Sequence, residues 1–196
     1  MKIQVVIKME DSLKEHQVIA HCVAYLLGQK KCDIRNIAVK KKHHEEVRET
    51  IRFVLVEYWD IDEKEVDQMV DKISFNERNP WDIEGYYKTK EKIQRKIVIE
   101  AKGGNKVYGI YTLIGQIICN LEKNSDYNWI GITCPASWMK AFHEKMTHKD
   151  EAKPLIELIL NSKTANALQF CFIDDVGYPL DISWKDFIEK GETYFK

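Results

Sequence analysis

The sequence has no hydrophobic run long enough to cross a membrane and no regular cysteine pattern. Charged or amide side chains interrupt every apolar stretch well short of the ~20 residues that a membrane helix needs. The first twelve residues resemble a strand and lack the apolar core and cleavage site of a secretory signal peptide. Five cysteines at wide, irregular spacings match neither a disulfide framework nor a CxxC zinc site. We therefore expect a reduced, cytoplasmic protein with no membrane partner.

Several short motifs that carry chemistry are also absent. There is no serine nucleophile elbow and no GxGxxG, and "AKGGNKVYG" lacks the spacing and the terminal Lys-Ser/Thr of a P-loop. The histidines do not predict a zinc site. His16 and His21 are five residues apart rather than four, and His43 and His44 are adjacent with no obvious third ligand.

Charge is nearly balanced over the whole chain, with a formal net charge of −1. This balance gives no global signal for nucleic acid, although local basic clusters can still form a phosphate-binding face. A solvated surface is the commoner explanation for any single charged run. The two basic clusters contain Lys40, Lys41, Lys42, Lys88, Lys90, Lys92 and Lys96.

Hydrophobic periodicity predicts one α/β domain spanning residues 1–196, with a mixed β-sheet flanked by helices. No repeat, low-complexity segment or linker divides the chain. Aromatic and β-branched residues in the stretch 73–104 predict two or three strands in a meander, the last at 95–101, with a hairpin near 88–94. Helices are expected at 12–27, 45–58, 60–73, 106–121, 137–146, 152–161 and from about 183, and further strands at 33–39, 127–134 and 166–177.

The stretch "RKIVIEAKGG" ends an apolar strand with an acid and a base. Side chains two apart in a strand share a face, so Glu100 and Lys102 project together if the strand continues through residue 102. Charged groups at the end of a buried strand are costly unless they pair or bind something. The carboxylate could hold a hard divalent cation, and the lysine could orient a water or stabilise phosphate charge. A surface ion pair is the simpler alternative.

A second carboxylate is expected from the neighbouring strand, because one carboxylate alone is a weak metal site. Asp82 in "NPWDIEGYY" begins a strand-like segment 18 residues before Glu100, a separation that a hairpin would close. Its alternative role is a turn or strand-start residue after Asn-Pro. Glu84, on the same strand face, and Glu77 are the other candidate acids.

Asp82 and the Glu100-Ala101-Lys102 ending together resemble the signature of the PD-(D/E)XK nuclease superfamily. That superfamily has the restriction-endonuclease-like fold of restriction enzymes, Holliday junction resolvases and RecB-type exonuclease domains. The resemblance implies a core in the order α-β-β-β-α-β, with the signature on the second and third strands. It covers about 120 of the 196 residues, and the segment after Pro135 matches no known pattern.

Two further site residues come from the resemblance. Many members have a glutamine on the helix after the ExK strand, which corresponds to Gln116, and several branches use an acid on the first helix, which corresponds to Glu15. Two positions depart from the pattern. Trp81 separates the proline from Asp82, and Asn120 replaces a tyrosine that is frequent in RecB-like members.

The resemblance implies a metal-dependent nuclease that hydrolyses DNA phosphodiester bonds, by analogy in restriction, defence or repair. Asp82 and Glu100, with Glu15 as an auxiliary ligand, would hold Mg²⁺ or Mn²⁺. Lys102 and Gln116 complete the expected catalytic set, and the two lysine clusters are the expected DNA contacts. Double-strand cutters of this fold commonly dimerise, but no residue here specifies a homodimer. The alternative is a catalytically inactive fold of this type that binds nucleic acid or protein.

Overall fold

A computed structural model describes residues 13–104, 110, 112–113, 115–116, 127–147 and 168–194. Predicted elements at 1–12 and 152–161 lie outside the described residues. Five α-helices are complete within these residues: α1 (Glu15–Gly28), α2 (His44–Phe53), α3 (Glu63–Val70), α4 (Met139–Thr147) and α5 (Trp184–Lys190). The strands are β1 (Asp33–Ile37), β2 (Ser74–Phe75), β3 (Ile83–Lys88), β4 (Gln94–Ala101), β5 (Tyr127–Pro135), β6 (Leu168–Ile173) and β7 (Pro179–Ser183).

The strands form one seven-stranded mixed sheet in the order β2-β1-β3-β4-β5-β6-β7. β1, β3 and β4 are antiparallel neighbours, whereas β4, β5 and β6 run parallel. Parallel neighbours require crossover connections, which place covering segments on the faces of the sheet. The expected α/β class with a mixed, helix-flanked sheet is therefore confirmed.

β4 is apolar throughout its second half because both of its faces are buried. Ile97 and Ile99 belong to one hydrophobic core, which lies under α1, α2 and α3. Val98 belongs to a second core on the opposite face, packed beneath α4 and α5. A strand covered on both sides is a continuous hydrophobic run rather than an alternating one, and this explains the run that precedes Glu100.

The helices begin and end for local reasons that the sequence largely reveals. The Asp62 side chain accepts hydrogen bonds from the backbone N–H groups of Lys64 and Glu65 and caps α3. Ser183 caps α5 in the same way, accepting from Asp186 N–H. The expected 45–58 helix has two parts, since α2 continues as a π-helix over Val54–Tyr58. Only its hydrogen-bond pattern differs from the expectation.

The prediction that the strand near 166–177 is the last one was wrong. Asp174 Oδ1 accepts from the backbone N–H groups of Val176 and Tyr178, and Gly177 has a φ of 89°. These features form a tight turn. The turn returns the chain along β6 as β7, with Phe170 paired to Ile182. The five residues of β7 are too few and too mixed in polarity to stand out in the sequence.

The helix expected at 106–121 is described only in part. Residues 110, 112–113 and 115–116 are helical, and Ile110 and Leu113 are buried in the second core. This segment lies between the parallel strands β4 and β5, where a crossover is required. In the part of the chain that the structure describes, no helix combines the length and the apolar character needed to cross a membrane.

Candidate active site at the carboxyl end of β4

Asp82 lies directly before β3 and faces the end of β4. Its carboxylate Oδ2 accepts a 2.7 Å hydrogen bond from Ala101 N–H, and its backbone carbonyl accepts from Ala38 N–H at 2.9 Å. The preceding Trp81 is buried in the second core. The tryptophan that departs from the family signature therefore anchors the segment that positions Asp82.

Glu100 is the penultimate residue of β4 and is only 2 % exposed. Its carboxyl group lies close enough to that of Asp82 for the charge of Asp82 to raise the pKa of Glu100. Its Oε1 atom is buried and has no hydrogen-bond partner within the described part of the chain. At this burial Glu100 is not a member of a surface ion pair, and an unsatisfied carboxylate oxygen in such a place is energetically costly.

Lys102 lies just beyond β4, where its backbone N–H still donates to Thr133 O at 2.9 Å. Its ammonium group donates to the carbonyl of Ala101 at 2.8 Å. The same Nζ atom lies 3.7 Å from Glu15 Oε2 and 3.9 Å from Asp82 Oδ2. One ammonium group therefore lies beside carboxylates from two different elements.

Glu15 is the first residue of α1, and two glycines bring it to the strand end. A Cβ on Gly103 would lie 2.2 Å from Glu15 N and 2.4 Å from Lys14 C, so any side chain there would displace backbone. Gly104 has a φ of 86°, in the region that favours glycine, and its N–H donates to Leu13 O at 2.7 Å. The two glycines thus allow α1 and the end of β4 to pack in direct contact.

The ionisation of the three acids reflects their burial and their proximity. Burial, followed by the nearby charge of Asp82, raises the pKa of Glu100 to about 8. Burial also raises the pKa of Asp82, although the Ala101 N–H and Lys102 oppose the change. The pKa of Glu15 is raised by burial, again opposed by Lys102. Burial and the proximity of the two carboxyl groups therefore both disfavour the charged form of Glu100.

The predicted basic residues lie in two separate places. Lys40 lines a cleft of about 430 Å³ together with Glu15 and Asp82, and Lys41 and Lys42 follow it in a short 3₁₀ turn. The other cluster lies at the far end of the β3–β4 hairpin, where Lys88 pairs with Gln94. Six residues of strand, roughly 20 Å, separate that end from Asp82.

The lysines of the hairpin therefore do not lie beside the carboxylates of Asp82 and Glu100. Lys90 and Lys92 lie in the hairpin turn between the strands. Lys96 is paired in register with Tyr86 and forms an ion pair with Glu84 at 2.5 Å. That ion pair also means that Glu84, one alternative acid, is already engaged.

Two remaining candidates are less closely connected to the site. Gln116 lies on the helical segment after β4, but its side chain is exposed. Glu77 lines the same cleft as Asp82, and its carboxylate accepts a hydrogen bond from Lys41 N–H. Among the described residues, neither forms a hydrogen bond or an ion pair with Asp82, Glu100 or Lys102. The assigned role of Gln116 stays a prediction.

A histidine cluster in the same cleft was missed by sequence reasoning. His16 Nε2 lies 2.9 Å from Glu46 Oε1, and His43 Nδ1 lies 3.2 Å from Glu46 Oε2. His16 and His43 are 27 positions apart in sequence, so only the packing of α1 against α2 reveals their proximity. The spacing His43-x-x-Glu46, with both side chains on one turn of helix, was the available signal.

Comparisons of the chain with protein families, with curated proteins and with solved structures find no match. The case for a function therefore depends on the geometry of the residues themselves.

Proposed function

We propose that the protein is a metal-dependent nuclease of the PD-(D/E)XK type that hydrolyses phosphodiester bonds of DNA. One observation carries the proposal: the carboxyl groups of Asp82 and Glu100 lie together at the end of β4, Glu100 is almost fully buried, and the Lys102 ammonium lies beside Asp82. A buried acidic pair with a raised pKa is a common feature of functional sites. Structural ion-pair networks rarely leave a buried carboxylate oxygen without a partner.

The topology around the site supports a restriction-endonuclease-like core. After α1, strands β1, β3 and β4 form an antiparallel meander, and β5 is added parallel to β4. The helical residues 110, 112–113 and 115–116 lie between β4 and β5 in the chain. This is the α-β-β-β-α-β order that the resemblance implies, with α2, α3 and β2 inserted between the first two strands of the meander. A fold alone does not establish function, so this agreement only strengthens the assignment of the site.

The residues at the strand end fit a hard divalent cation such as Mg²⁺ or Mn²⁺. The available donors are carboxylate oxygens, which such ions prefer. The Oε1 atom of Glu100 is buried and accepts no hydrogen bond from any described residue, so it has a lone pair available for a metal ion. Asp82 and Glu100 would hold the ion, with Glu15 as an auxiliary acid. When bound, the cation polarises a phosphate oxygen and lowers the pKa of a coordinated water.

The protein's own residues perform the remaining tasks. Lys102 lies within 4 Å of Asp82 and Glu15, where it can stabilise developing negative charge on a phosphate or orient a water. Its position is fixed by the hydrogen bonds of its backbone N–H to Thr133 and of its ammonium to Ala101. A group held in place in this way needs little reorganisation during the reaction.

DNA would reach the site along the cleft that Glu15, Lys40 and Asp82 line. We therefore assign phosphate contacts near the scissile bond to the cluster Lys40–Lys42. The far end of the hairpin, at Lys88, lies roughly 20 Å away, and Lys96 lies nearer, four residues before Glu100 on β4. The far end would contact the backbone several nucleotides from the cleaved bond.

A binding module of the same fold is the rival function, and the net charge of −1 is the observation that favours it. The deciding experiment incubates the full chain with linear duplex, circular duplex and single-stranded DNA, each with Mg²⁺, Mn²⁺ or EDTA. We expect cleavage of at least one substrate that requires the metal and is lost in Glu100→Ala. DNA that is bound but not cut under every condition would support the binding module instead.

A further inference from the structure

The cleft beside the carboxylate site contains a second group of potential metal ligands. His16, from α1, and His43 and Glu46, at the start of α2, offer two imidazole nitrogens and a carboxylate oxygen that all lie within 4.8 Å of one another. Both histidines line the same cleft as Glu15 and Asp82. The three residues form a cluster distinct in chemistry from the all-oxygen site at the end of β4.

We propose that His16, His43 and Glu46 bind a transition-metal ion of the zinc class. Imidazole nitrogen suits Zn²⁺, Co²⁺ and Ni²⁺, whereas Mg²⁺ and Ca²⁺ prefer oxygen ligands alone. Two histidines and a glutamate with an open fourth position is a donor set that zinc uses in catalytic sites. Because the cluster faces a cleft, its fourth position is open to water or to a bound molecule.

The cluster has the construction of a site rather than of a solvated helix face. His16 is 9 % exposed, so its imidazole is withdrawn from bulk water. Each oxygen of Glu46 engages a different histidine, which aligns both nitrogens toward one carboxylate. The nearby His44 is fixed separately, by a 2.9 Å contact of its Nε2 with Val39 O. His44 is therefore a histidine beside the cluster but outside it.

Metal binding requires a small rearrangement of the rings. The rings of His16 and His43 are stacked, with centroids 3.8 Å apart and planes 12° apart. The nitrogen lone pairs of two stacked rings point in parallel planes and do not meet at one point. The lone pairs of two imidazoles bound to a tetrahedral zinc ion must converge on the ion, and the two ligand nitrogen atoms then lie about 3.4 Å apart. His43 can turn, because its side chain is 25 % exposed. We therefore expect His43 to turn out of the stack when an ion binds, while Glu46 lies between the two rings.

The proposal does not depend on nuclease activity, and the test separates the two sites. Metal-free full-length protein is titrated with Zn²⁺ by calorimetry and with Co²⁺ by visible absorption, which reports nitrogen ligation. We expect one ion per chain at this site, with a Kd weakened at least about tenfold in His43→Asn and in Glu46→Gln. The matched controls His44→Asn and Glu45→Gln, and the site variant Asp82→Asn, should retain wild-type affinity.

A purely structural role for the cluster makes different predictions. His43→Cys supplies another zinc ligand but cannot reproduce the imidazole stack, so retained Zn²⁺ affinity in that variant supports metal binding. Circular dichroism of each variant shows whether α1 and α2 remain folded. The proposal is overturned if Zn²⁺ affinity is unchanged in folded Glu46→Gln, or if Asp82→Asn abolishes it while His43→Asn does not.

Discussion

Lys102→Ala is expected to slow DNA cleavage in saturating Mg²⁺ by about 10²- to 10³-fold, the loss typical of removing one group that stabilises transition-state charge. The Lys102 Nζ atom lies 3.9 Å from Asp82 Oδ2 and 3.7 Å from Glu15 Oε2, and among the described residues no other ion pair involves either carboxylate. Single-turnover cleavage of duplex DNA measures the chemical step directly.

Cation binding should respond in the opposite direction. Removing a positive charge from beside the carboxylates leaves their affinity for Ca²⁺ or Mn²⁺ unchanged or increases it. Lys140→Ala is the matched control, because that lysine lies on α4 with its side chain 70 % exposed. Cleavage by Lys102→Ala at the wild-type rate would refute the assigned role. Loss of both cleavage and cation binding would mean that Lys102 holds the site together instead.

Glu100→Gln is expected to stabilise the metal-free protein at pH 8, even though it removes a ligand. Burial and the charge of Asp82 raise the pKa of Glu100 from 4.5 to about 8, so its charged form is disfavoured in the folded state. The contribution of Glu100 to the free energy of unfolding is therefore fully present below pH 4.5 and is lost as the pH rises from there through 8. The glutamine of Glu100→Gln stays uncharged at every pH, so the variant does not lose this stability.

The rise from 4.5 to about 8 corresponds to a gain of up to about 5 kcal/mol at pH 8 and above, or roughly 10–20 °C in the unfolding temperature. Thermal unfolding in EDTA across pH 4 to 9 measures it, with Glu144→Gln on the exposed side of α4 as the control. The difference between Glu100→Gln and wild type should close toward pH 4.5. A variant that is less stable than wild type at every pH would show that the ionised Glu100 is well satisfied in the fold.

Adding a divalent cation should make the wild-type protein more stable than Glu100→Gln. Wild-type protein gains stability on adding Mn²⁺ because the ion binds only the folded state, whereas Glu100→Gln lacks the second carboxylate. Stabilisation of both proteins to the same extent would place the ion elsewhere.

Local and periodic features allowed much of the fold to be predicted from the sequence. α1, α3 and the β3–β4 hairpin follow from helical spacing, a capping aspartate and turn residues. β7 was missed because it is short and half polar, and only its pairing with β6 defines it. The face of the sheet that each helix covers could not be predicted from the sequence and is known only from the three-dimensional structure.

The candidate site was predictable to the extent that its residues occupy strand ends. Asp82 and Glu100 are placed by one hairpin register, Ile83 opposite Ile99, which short-range sequence can indicate. The histidine cluster and the separation of the two lysine groups were not predictable in this way. They depend on how α1 packs on α2 and on the length of the hairpin, and neither is encoded by a local motif.

The most direct test of the account is the position of a Mn²⁺ ion in crystals of the protein, located by its anomalous scattering. We predict a peak bound by carboxylate oxygens of Asp82 and Glu100, at about 2.2 Å from each. We also predict that the peak is lost from crystals of Glu100→Gln. A fully soaked wild-type crystal with no peak between these two carboxylates would contradict the proposed site and, with it, the proposed nuclease activity.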